Sequence, residues 1–213
     1  MIIKDLLGFE DYTITNLFEC FPMVENLSTY LSMIEVTDSS HHLFFVYVQS
    51  LCWPCLKYFD KGRVPRVLPM TLIYLKYVCI DEMCFMYEYG SPFLLCLIRS
   101  SPNMEKLKLR VNGSYYCEDP TLQSEKCSST LKDSSDILLE HLKVIEISDL
   151  WNINTKPTLD FVKFIMSKSP ALKKVRISLH KGGHRDDELQ ISEVLLSSQS
   201  ASPMVDIIVE NDV

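Results

Sequence analysis

"LKVIEI", residues 142–147, sets the period from which the fold of this 213-residue chain is read. Its pattern is apolar, two variable residues, apolar, one variable residue, apolar. Ile145 and Ile147 are two apart, so in an extended strand they share one face and Glu146 takes the other. Leu142 covers the turn that leads in. The phrase returns as "LFFVYV" (Leu43, Val46, Val48), "LKYVCI" (Leu75, Val78, Ile80), "MEKLKL" (Met104, Leu107, Leu109) and "LKKVRI" (Leu172, Val175, Ile177). "VENLST" (Val24, Leu27) is a degenerate copy. The first apolar positions step by 19, 32, 29, 38 and 30 residues. One such strand cannot bury its apolar face alone, whereas stacked parallel neighbours can.

The intervals carry helical text. "SPFLLCLIRSSPN" (91–103) has Ser91 placed to cap and Pro92 at the first helical position, and it stops before Pro102. "TKPTLDFVKFIMSKSPA" (155–171) has Thr158 as a cap, an apolar stripe through Leu159, Val162 and Ile165, and Pro170 as a stop. Strand, helix, strand is therefore written twice, over 75–111 and 142–179. "ELQISEVLLSSQSASP" predicts an amphipathic helix and "MVDIIVE" (204–210) an edge strand. Residues 112–136 have no period and are rich in Ser, Asp and Glu, which places a loop and a domain boundary there. The expected fold class is α/β: a short, irregular leucine-rich-repeat solenoid with parallel strands in residues 1–135, ending in a βαβ-type domain in 136–213.

Charge narrows the choice of partner. The formal net charge is −7. Residues 136–185 carry nine basic and five acidic side chains; residues 186–213 carry none and seven. That acidic end repels phosphate, so nucleic acid is not expected as a partner. No run approaches the ~18 apolar residues of a membrane span, so no membrane partner is expected either. The start, "MIIKDLLGFEDY", lacks the apolar core of a secretory signal. An intracellular, reducing setting in cytoplasm or nucleus follows, with the eight cysteines as thiols or metal ligands.

At this point the phrases match a known pattern. "LEHLKVIEISDLW", "LDFVKFIMSKSPALKKVRISL" and "ISEVLLSSQSASPMVDIIV" resemble the FBD domain of plant F-box/FBD/leucine-rich-repeat proteins. "LPMTLIYLKYVCIDEMCF" and "CLIRSSPNMEKLKLRV" resemble the repeats that precede that domain. The resemblance implies the target-binding part of a substrate receptor in a Skp–cullin–F-box ubiquitin ligase. No F-box is legible in the first residues, which already read as repeat, so binding of a Skp-type adaptor is not expected from them. Leu6, Leu7 and Phe9 are then expected to be exposed at an uncapped end.

Several constellations compete for a chemical role. Cys52-Trp53-Pro54-Cys55 lacks the following helix of a redox pair. With Cys79 and Cys84 it forms a four-cysteine spacing that a structural zinc site can use, but Cys79 lies inside a strand phrase, opposite Val78 and Ile80. Packing thiols are the favoured reading, and neither metal nor cofactor is expected. "KGGHRDD" (181–187) lacks the spacing of a phosphate loop and reads as a turn. Trp53 and Trp151 follow strand phrases as rim packing or partner anchors. No nucleophile–base pair is legible, so catalysis is not expected. The expected function is binding of a target protein by outward strand residues and the turns beside them: Lys76, Tyr77, Lys106, Lys108, Lys143, Glu146, Lys174 and Arg176.

Overall fold

The structure is a computed structural model and describes residues 23–30, 33–38, 43–46, 65–83, 85, 90–111, 131, 133–150, 155–180 and 185–211. The strands are β1 (Val24–Tyr30), β2 (Met33–Asp38), β3 (Leu43–Val46), β4 (Tyr77–Met83), β5 (Lys106–Val111), β6 (Val144–Leu150), β7 (Lys174–Leu179) and β8 (Asp206–Asn211). The helices are α1 (Gly90–Ser100), α2 (Thr155–Lys168) and α3 (Arg185–Leu196). All eight strands form one sheet in the order β3-β2-β1-β4-β5-β6-β7-β8. The six strands from β1 through β8 in that order pair in parallel. The fold is α/β, and its ladder is of the leucine-rich-repeat kind.

The repeated phrase builds the ladder. Val78, Leu107, Ile145 and Val175 occupy one row across the sheet, and Ile80, Leu109, Ile147 and Ile177 the next but one. All are buried, as are the lead-in residues Leu75, Met104, Leu142 and Leu172. Burial of a large aliphatic side chain stabilises by about 1.5–3 kcal/mol, so four in-register copies supply most of the core. One residue ahead of the strands, backbone amides continue the ladder. Lys76 donates to Glu25, Glu105 to Lys76, Lys143 to Glu105 and Lys173 to Lys143, each at 2.8 Å.

One reading of the phrase needs correcting. "LFFVYV" was expected as a parallel rung, but its strand β3 pairs antiparallel with β2 at the far edge. The degenerate "VENLST" supplies the true rung: β1 lies parallel to β4, with Leu27 opposite Val78. The reason is length. A parallel return needs a crossover of a dozen or more residues, and only two residues separate β1 from β2.

A buried serine before proline marks the turn back into a strand. Met104 donates its amide to the Ser101 carbonyl and Leu172 to that of Ser169, both at 3.2 Å. Both serines are wholly buried, and the Ser101 hydroxyl is satisfied by the Leu97 carbonyl at 2.8 Å. The capping expectation at Thr158 fails. Helix α2 starts earlier, at Thr155, and Thr158 lies inside it, its buried hydroxyl without a partner.

Sheet and core are continuous across residue 135. One apolar cluster runs from Leu68 to Leu195. The rings of Phe85 and Phe161 lie 5.0 Å apart. Arg99 donates to the Ser134 hydroxyl at 2.7 Å, and Leu139 donates its amide to the Lys168 carbonyl. Among the described residues no helix is long and apolar enough to cross a membrane.

Candidate functional site: the polar face of the sheet

The apolar rows face the core, so the alternate residues of each strand form the other face. One outer row runs Tyr77, Lys106, Val144, Lys174, Asp206; the next runs Cys79, Lys108, Glu146, Arg176, Ile208. Charge alternates by strand. Strand β5 presents Lys106, Lys108 and Arg110, β6 presents Glu146 and Asp149, β7 presents Lys174 and Arg176, and β8 presents Asp206 and Glu210. Opposite charges on adjacent strands attract, and like charges would repel, so the alternation favours this order of strands.

Ion pairs join neighbouring strands of this face. Lys106 meets Glu146 at 2.8 Å, Arg110 meets Asp149 at 3.2 Å, and Arg176 meets Glu210 at 2.7 Å. Each cation is at least a third exposed, so each pair adds little to stability, about 1 kcal/mol or less. Their use is in fixing the side chains. Arg176 grips Glu210 with two nitrogens, and Ser178 donates to the same carboxylate at 3.1 Å. These bonds hold the Glu210 carboxyl below its ordinary range. Lys106 also lies over the Tyr77 ring, 5.7 Å from its centre. Burial, helped by Cys79, Glu146 and Asp81, pushes the Tyr77 phenol above its ordinary range. It stays protonated, and so a hydrogen-bond donor, at neutral pH.

Asp149 is the irregular point of this face. Its φ is 61°, in the left-handed region that costs an Asp about 1–3 kcal/mol. The β6–β7 register shifts between Ile147 and Leu150, which lets Asp149 present its carboxylate to both Arg110 and His180, the latter at 2.9 Å.

Asp81 is buried beside Arg110 and Lys108. Desolvation raises its carboxyl above the ordinary value, and the two cations only partly offset this. The charged form is therefore disfavoured in the folded state. Asp81→Asn is expected to raise the melting temperature at pH 7. The sign follows from linkage: a raised carboxyl costs stability above its folded pKa and costs none once protonated in both states. The gain should shrink as pH falls toward the ordinary value of 3.8, which melting curves of the two proteins from pH 7 to pH 3.5 check.

The expected partner residues fall into two groups. Tyr77, Lys106, Lys108, Glu146, Lys174 and Arg176 share the polar face. Lys76 and Lys143 sit one residue ahead of β4 and β6, in the turns, and Lys143 is held by Glu105 at 2.6 Å. That hydrogen bond keeps the Glu105 carboxyl low. Missing from the sequence reading were Asp81, Arg110, Asp149, His180 and Glu210. Alternation alone would have found Asp81, Arg110 and Glu210, each two residues from a position on the same face. Of the cysteines weighed for zinc, Cys79 is buried on the side opposite Val78 and Ile80. Cys52, Cys55 and Cys84 lie outside the described residues, as do Trp53, Trp151, Leu6, Leu7 and Phe9. Among the described residues no group of three or more His, Cys, Asp or Glu is placed to hold a metal ion.

The comparison with known proteins points the same way as the ladder. The chain resembles an F-box/FBD/LRR-repeat protein. That relative, a curated Arabidopsis thaliana protein so named, is 30% identical over 156 residues, which is 73% of this chain and 36% of the relative. The chain thus spans little more than a third of the length of the curated F-box/FBD/LRR-repeat protein that it matches. No family model matches the chain, and no solved structure does.

Proposed function

We propose that this chain is a non-enzymatic protein-interaction module of the F-box/FBD/LRR family. Leucine-rich repeats lead into an FBD domain whose strand–helix–strand units are β6–α2–β7 and β7–α3–β8. It is the part that holds a target protein, in the cytoplasm or nucleus, for a Skp–cullin–F-box ubiquitin ligase. The similarity to the named relative and the repeat ladder support the family. The repeats would occupy residues 1–135 and the FBD domain 136–213, on one sheet and one core.

The target sits on the polar face, and the observation that carries this is the strand-by-strand alternation of charge there. Fixed rows of cations and carboxylates on one rigid sheet offer register and specificity to a partner. Lys108 is central. It lies on the cationic strand, in register with Glu146, and is half-buried among the paired side chains. Lys106, Lys174, Arg176, Glu146 and Tyr77 surround it, with Lys76 and Lys143 at the rim.

Affinity purification with quantitative mass spectrometry tests the proposal. Wild-type chain is compared with the double variant Lys108→Glu, Arg176→Glu, both shown to be folded by circular dichroism. A discrete set of proteins should be recovered with the wild type and lost with the variant. An identical set with both proteins would exclude this face as the target surface.

A further inference from the structure

We propose that the free edge of β8 accepts an extended segment of a partner protein, added to the sheet as a further strand, in which apolar residues alternate with Lys or Arg. The repeated phrase is written once more at the end of the ladder, as "MVDIIV" (Met204, Ile207, Val209). Ile207 continues the buried row of Val175, and Val209 that of Ile177. Met204 stands three residues before Ile207, the lead-in place held by Leu75, Met104, Leu142 and Leu172 in the earlier copies. In those four copies every one of these apolar residues is buried. In the last copy Met204 is 84% exposed, and Ile207 and Val209 are only half-buried. A rung covers its apolar residues with the rung on either side, and among the described residues β8 has a neighbour on one side only.

The backbone fixes what can sit there. The Asp206 amide donates to the Lys173 carbonyl at 2.9 Å, so residues 206, 208 and 210 bond to β7. The amides and carbonyls of Ile207 and Val209 point the other way, and an extended chain is the structure that matches them. Edge strands are ordinarily blunted by a Lys, a Pro or a bulge. Strand β8 has none of these: Asp206–Asn211 contains no Lys or Pro, and its register with β7 is unbroken from Asp206 to Asn211. Charge selects the occupant. On the polar face the strands alternate in sign from β5 to β8, and β8 presents Asp206 and Glu210 there. Arg176 of β7 holds Glu210, whereas Asp206 stands exposed. The next strand in that alternation is cationic. A second copy of the chain fits badly, because full antiparallel pairing of β8 with β8 sets the Asp206 of one copy against the Glu210 of the other. Apolar residues on the core side and Lys or Arg on the polar side complete both sets of rows.

The probe is a capped peptide of about eight residues alternating Val and Lys. Its binding to the full chain is measured by fluorescence anisotropy, and two control peptides replace Lys by Glu or scramble the order. The Val/Lys peptide should bind, and neither control should. Methylating the amides of one alternate set of its residues should abolish binding and methylating the other set should spare it, because only one set can face β8. Val209→Pro removes an outward amide and no bond between β7 and β8, and should weaken binding about tenfold or more. Met204→Ser and Asp206→Lys should each weaken it severalfold. Met204 is exposed, so its replacement leaves the melting temperature unchanged. Lys108→Glu, on β5, should bind the peptide like the wild type, so this inference is tested apart from the target face. Failure of the probe to bind, equal binding of either control, or two methylations that act alike would overturn the proposal. So would loss of binding in Lys108→Glu, which would put the peptide on the polar face. A dimer of the free chain that Val209→Pro abolishes would overturn it too, with a second copy as the occupant.

Discussion

Replacing Phe161 by Ala is expected to lower the free energy of unfolding by about 3–5 kcal/mol. Phe161 is wholly buried on α2, and its ring meets Phe85 in the stretch between β4 and α1 at a tilt of 36°. Truncation removes the transfer energy of the ring and leaves a cavity walled by well-packed aliphatic residues. The ring pair should add a coupling of about 0.5–1.5 kcal/mol in a double-mutant cycle with Phe85→Ala. The pair joins residues on either side of position 135, so both single variants should unfold in one urea transition, like the wild type. Two separate transitions, with Phe161→Ala shifting only the second, would mean that the two stretches fold independently.

The second large effect is expected one strand away. Ile145→Asp puts a carboxylate at a position of zero exposure, in a row between Leu107 and Val175. The row on that face is apolar from Val78 through Leu107 and Val175 to Ile207, so the group is desolvated among aliphatic neighbours, at a cost of several kcal/mol. A domain of this size is stable by about 5–15 kcal/mol, and the variant should lose most of that. Its neighbour gives the contrast. Glu146→Ala changes the next residue, on the other face, and removes only the pair with Lys106. About 1 kcal/mol or less should be lost. Urea melts of the two variants should therefore differ greatly although the sites are adjacent. Similar midpoints would contradict the assignment of faces.

The ladder was legible because a single phrase encodes three requirements at once. In "LKVIEI" the spacing of Leu142, Ile145 and Ile147 specifies a turn, a strand and its buried face, and α2 and Pro170 supply the return. The antiparallel β1–β3 edge was misread for the opposite reason. The pattern in "LFFVYV" is a good strand pattern, but pattern does not state which strand it pairs with. Only two residues separate β1 from β2, so β2 turns back antiparallel beside β1, and β3 pairs with β2 instead of joining the parallel ladder. On the polar face, alternation from Lys106 and Arg176 reached most of the site. Asp149 was beyond it, because its position depends on a register shift and a left-handed backbone that no local spacing encodes. The text of the last helix predicts an amphipathic helix but not which of its leucines, Leu189, Leu195 or Leu196, face the core. Only the rotation fixed by Ile191, Leu195 and Glu188 separates the two sides.

Lysine footprinting tests the central claim most directly. The purified chain is acetylated briefly, alone and with a target protein recovered by the wild type, and each lysine is quantified by mass spectrometry. Lys106, Lys108 and Lys174 on the polar face should be shielded by the target. Lys156 and Lys163 on α2 should be modified as before. Shielding of the α2 lysines with unchanged modification of Lys106, Lys108 and Lys174 would place the target on the helical side and contradict the account.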